Sequence, residues 1–80
     1  MMNSIYNNTY SEVLVFKTNI RKDSEVTLVG KLLADENIPK WNIDREDIDN
    51  VLRIECDHIN PFVVIQRLRA AGFECEELPD

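Results

Sequence analysis

The first sustained apolar run begins at Val13. From Val13 to Ile20 most positions are β-branched or aromatic, with Leu14, Phe16 and Thr18 on one face and Val13, Val15 and Lys17 on the other. That is the two-residue period of a strand. Both faces are partly apolar, so this strand is expected to be central, with its second face shallowly covered. The period then changes: Val26, Val29, Leu32 and Leu33 fall at the i, i+3, i+6, i+7 spacing of one helical stripe, widened by Leu28. Asp23 or Ser24 is expected to cap the start of this helix, and Asp23 and Glu25 suit its positive end. Asp35-Glu36-Asn37 ends the pattern. Gly30 either weakens the helix by about 1 kcal/mol relative to Ala or lets it approach the sheet closely.

Alternation resumes from Ile38 to Asp44, where Trp41 and Ile43 face one side and Asn42 and Asp44 the other. Pro39 cannot donate to a ladder and marks an edge strand. Arg45 to Asn50 is a polar connection. Val51 to Cys56 is a third strand, with Leu52, Ile54 and Cys56 against Arg53 and Glu55, and it forms a hairpin with the second. Asn60-Pro61 opens a second helix with a cap and a proline in the first turn. Val64, Ile65, Leu68 and Ala71 line its inner face, and Gly72 supplies a left-handed stop. Phe62 and Val63 cannot both face inward, so a small apolar spot is expected there. Phe73 to Leu78 is a short last strand.

The order strand, helix, strand, strand, helix, strand predicts an α+β chain. Two right-handed crossovers interleave as a ferredoxin-like βαββαβ sandwich: a four-stranded antiparallel sheet in the order 4-1-3-2, with both helices on one face. The end of strand one, the hairpin between strands two and three, and the turn before strand four then gather at one end of the sheet. Residues 1–11 read as a loose lead whose Ile5, Tyr6 or Tyr10 docks on the body, and residues 12–80 as the single domain.

Charge and composition narrow the function. The formal net charge is −6 over 80 residues. Residues 1–40 carry five basic and five acidic side chains, whereas residues 41–80 carry four and ten. No basic stripe exists to neutralise phosphates, so nucleic acid is not the expected partner; a basic protein surface or a cation is a more natural neighbour. No apolar run reaches the length of a membrane span and the start lacks a secretory signal pattern, so the chain is read as cytoplasmic, without membrane insertion. The two Cys are expected to be reduced.

The residues gathered at the loop end carry a resemblance. Val15-Phe16-Lys17-Thr18-Asn19-Ile20-Arg21-Lys22-Asp23-Ser24-Glu25-Val26, with Val29 and Leu33 following, resembles the strand, Met-x-Cys-x-x-Cys and helix of heavy-metal-associated domains, the fold of small copper chaperones. Asn60-Pro61, Val64, Leu68, Ala71-Gly72-Phe73 and Cys75 resemble that family's second half. The resemblance covers residues 13–78. It implies that Ile20 replaces the motif's buried Met and that Lys22 and Glu25 replace its two thiols. Soft ions there require paired thiolates, and Lys22 offers an ammonium with no lone pair.

The remaining candidates have ordinary readings. Cys56 and Cys75 alternate with charged residues and read as buried thiols on strands separated by strand one. His58 next to Asp57 is not a metal triad, and nothing resembles a nucleophile with its base. Asp44, Glu46, Asp47 and Asp49 lack the spacing of an EF-hand loop and read as a solvated or partner-facing acidic turn. The sequence therefore predicts a non-enzymatic domain with no catalytic, cofactor or metal residues. It is expected to act by protein interaction, self-association or regulation, its candidate contact residues being Arg21, Lys22, Glu25, Asp44, Glu46, Asp47 and Phe73. The edge of strand two could pair with a peptide or a second copy. The alternative is a heavy-metal chaperone or carrier using non-standard ligands.

Overall fold

A computed structural model describes residues 12–36, 38 and 40–79. The elements are β1 (Glu12–Thr18), α1 (Asp23–Leu32), β2 (Lys40–Asp44), β3 (Val51–Cys56), α2 (Pro61–Ala70) and β4 (Cys75–Glu77). The sheet is antiparallel in the order β2-β3-β1-β4, which is the predicted order read from the other edge. The expected lead lies outside the described residues.

One face of the sheet packs on the helices. Leu14 and Phe16 on β1 stand opposite Ile54 and Leu52 on β3, and with Ile20, Val29, Leu33, Cys56, Val64, Leu68 and Cys75 they form the core. Val13 and Val15, on the other face, stay half-buried, and Leu78 and Pro79 line a shallow concavity beside them. Leu78 donates its amide to the Val15 carbonyl at 2.8 Å, so the chain beyond β4 stays alongside β1.

Strand boundaries differ from the pattern where backbone groups turn out of the ladder. β1 ends at Thr18, whose amide donates to the Asp49 carbonyl at 3.0 Å. Ile38 lies outside β2, its amide turned to the Glu36 carbonyl at 2.8 Å. Phe73 and Glu74 lie outside β4: the Phe73 amide closes α2 on the Leu68 carbonyl, and the Glu74 amide donates to the Asn19 side chain.

The helix termini follow their sequence signals in part. Asn60 Oδ1 accepts from the Phe62 amide at 2.9 Å, and Gly72 has φ +97. With bonds from Gly72 to Arg69 and from Phe73 to Leu68, both 3.0 Å, the end of α2 is a Schellman motif. Ala71, expected inside, is exposed as the residue that leaves the helix. Phe62 is exposed and Leu28 lies at 39% exposure, so Leu28 does not widen the buried stripe of α1. α1 lies close over β2: a β-carbon on Gly30 would sit 3.4 Å from Trp41 Cζ2.

Candidate functional site

Three connections meet at the end of the sheet where β1 stops: residues 19–22, the hairpin 45–50 and residues 71–74. Thr18 joins the first two. Its buried hydroxyl donates to the Asn50 carbonyl at 2.6 Å and accepts from the Ile20 amide at 3.2 Å. Asn50 is buried with φ +44, a left-handed conformation that Asn tolerates better than most residues. Asn19 Oδ1 accepts from the Glu74 amide at 2.9 Å and joins the third connection to the first.

The turn into α1 closes on itself. Lys22 takes the position before the first turn, and an ammonium cannot accept a hydrogen bond. Glu25 acts instead: its Oε1 accepts from the Arg21 and Lys22 amides, each at 2.9 Å. Those amides hold the Glu25 carboxyl below its ordinary range. The cap is therefore Glu25 reaching back, where Asp23 or Ser24 was expected. Arg45, from the hairpin, donates Nη1 to the Arg21 carbonyl at 3.0 Å and to Asp23 Oδ1 at 2.8 Å. Ile20 lies fully buried beneath this turn.

Of the candidate contact residues, Arg21, Lys22, Asp44, Glu46 and Asp47 are exposed, while Glu25 and Phe73 are half-buried. The hairpin is internally built: Asp44 Oδ1 accepts from the Glu46 amide at 3.1 Å and Asp47 Oδ1 from the Asp49 amide at 2.8 Å. Lys17 stands 3.8 Å from Asp49. At the hairpin tip Ile48 is 91% exposed, a residue the sequence reading passed over. Its place between Glu46, Asp47 and Asp49, outside any period, was the available signal.

The thiols do not form a site together. Cys56 pairs with Glu12 at one end of β1, and Cys75 with Thr18 at the other. Those positions are six steps apart along the strand, about 20 Å. Both thiols are buried; burial raises the Cys56 pKa and pushes Cys75 up to about 11. Among the described residues no group of three or more His, Cys, Asp or Glu could hold a metal ion. The turn does not fit a soft ion either, since Lys22 is cationic and Glu25 is committed to two amides. His58 is exposed on the turn after β3, at the end of the sheet remote from these loops.

No family model matches the chain, and no curated protein sequence matches it. Its fold is similar to that of two solved domains. One is the yeast copper transporter domain Ccc2a, solved in apo and Cu(I)-loaded states, with TM-score 0.72 and 16% identity over 88% of this chain and 99% of that one. The other is the N-terminal domain of ZntA in its Zn(II) form, with TM-score 0.69 and 12% identity over 81% and 89%. The architecture is thus the ferredoxin-like βαββαβ fold, shared with these two domains.

Proposed function

We propose that this is a non-catalytic domain that works by protein contact through its loop end, on a scaffold shared with metal-transport domains. The observation that carries this reading is the self-closure of the turn into α1. Glu25 is spent on the Arg21 and Lys22 amides, and Asp23 and the Arg21 carbonyl are spent on Arg45. The hairpin beside it presents Asp44, Glu46 and Asp47 to solvent, while its own Arg45 is turned to the α1 turn. Such a surface suits a partner face rimmed with basic side chains, where charge steers and orients docking.

A second reading is metal carriage by non-standard ligands, and the comparisons favour it: both solved neighbours are described with a metal, copper in one and zinc in the other. Native mass spectrometry of reduced protein with Cu(I) or Zn(II) separates the two. Protein contact predicts no ion retained at one per chain; one retained ion, lost in Glu25→Gln, supports carriage. In cell extract, chemical cross-linking should give an adduct of defined mass that disappears in Glu46→Lys/Asp47→Lys while the fold, read by circular dichroism, is unchanged. An adduct indifferent to that charge reversal contradicts docking through the hairpin.

A further inference from the structure

In the order β2-β3-β1-β4, β2 has β3 on one side and, among the described residues, no strand on the other. An edge of this kind presents backbone donors and acceptors that can template another strand. What that strand would meet is set by Lys40, Trp41, Asn42, Ile43 and Asp44. Reversed, this pattern complements itself. Antiparallel pairing of two copies centred on Asn42 sets Lys40 opposite Asp44 of the second copy at both ends. It sets Trp41 opposite Ile43 twice, and Asn42 opposite its counterpart.

The faces agree with this register. Trp41 and Ile43 stand opposite buried Ile54 and Leu52 of β3, on the helix side, yet each stays half-buried at the sheet's margin. In the pair each would cover the other's open flank, an aromatic–aliphatic cross-strand contact. Lys40, Asn42 and Asp44 lie exposed on the opposite face. The Lys40 side chain is 67% exposed even while 3.6 Å from Glu55, so its ammonium has room for a second carboxylate.

Other pairings fit less well. Parallel pairing in register sets Lys40 against Lys40 and Asp44 against Asp44, which opposes like charges. Antiparallel registers centred on Trp41 or Ile43 leave neither Lys40 nor Asp44 facing its opposite charge within the strand. The charged ends that discourage a foreign strand thus select a second copy of this one.

We propose that the protein self-associates as a two-fold dimer through β2 pairing antiparallel with β2 about Asn42. The two sheets then run on as one, with all helices on the same side. This inference shares only Asp44 with the loop-end docking above and does not rest on it. A pairing of five residues falls short of the roughly 1,200 Å² of a standard interface, so the dimer is weak and concentration-dependent.

Sedimentation equilibrium from micromolar to millimolar protein tests it. The average mass should climb toward twice the monomer's. Lys40→Asp and Asp44→Lys, each alone, set like charges opposite one another and should weaken association about tenfold or more. An equimolar mixture of the two variants restores opposite charges at both ends and should dimerise about as well as the parent protein. That recovery also shows that neither variant merely fails to fold. A parent protein that stays monomeric at millimolar concentration overturns the proposal. So do single variants that associate as the parent does, or a mixture that does no better than its components.

Discussion

Thr18 shows how much a single side chain decides at the loop end. Its hydroxyl serves the Asn50 carbonyl and the Ile20 amide at once, and Thr18 itself is buried. Thr18→Val keeps the shape and removes both bonds, so denaturant titration should show a loss of about 1–3 kcal/mol; a loss of a few tenths would contradict this role. The two thiols give a second prediction. With burial raising both pKa values, neither is a thiolate at neutral pH, and an alkylating reagent should label them only at the rate of unfolding. Fast labelling of native protein would show an accessible thiol. The sequence placed Thr18 on the inner face with Leu14 and Phe16, but its partner lies 32 residues away, beyond any local pattern. The Glu25 cap was nearer to hand. A glutamate three residues after the residue preceding a helix is half of a capping box, and the adjacent Asp23 and Ser24 were the more conventional caps.

At the scale of elements, α1 is held from both ends. Arg45 braces its start, and Arg67 from α2 secures its end: Nη1 donates to the Leu32 carbonyl at 2.9 Å and pairs with Asp35, while Nη2 lies 2.7 Å from Glu36. Arg67 is half-buried, and a stem that reaches across to a neighbouring helix leaves no trace in the apolar period of α2. The Arg67 guanidinium holds the Asp35 carboxyl below its ordinary 3.8, as two amides hold Glu25 below 4.5. Depressed carboxyl pKa values stabilise the fold above the unfolded values, and that contribution disappears as pH falls through the folded ones. The melting temperature should therefore hold from neutral pH to about 5 and then decline. Arg67→Ala should flatten part of that decline by removing the shift at Asp35; an unchanged acid limb would contradict the clamp. Gly30 is a separate case. A methyl there would make ordinary contact with Trp41, so Gly30→Ala should stabilise by up to about 1 kcal/mol through helix propensity. A lower melting temperature would show the packing to be too tight.

For the molecule as a whole, the strand order and the helix side were legible because each element carries a complete local signal. β1 is a β-branched and aromatic run, β3 alternates cleanly, Asn60-Pro61 opens α2 and Gly72 closes it. The loop end was legible only as a place. Topology alone brings residues 19–22, 45–50 and 71–74 together, but the bonds that join them cross 22 to 55 residues of chain. Chemically, this end is defined by a turn closed by Glu25 and Arg45, with Ile20 buried. The most direct test follows the backbone amides of Arg21 and Lys22 by nuclear magnetic resonance while Cu(I) is added to reduced protein. The closed turn predicts that both resonances keep their positions, and that Glu25→Ala shifts them without any metal. Movement of those amides in proportion to one Cu(I) per chain would contradict it and make the turn a metal site.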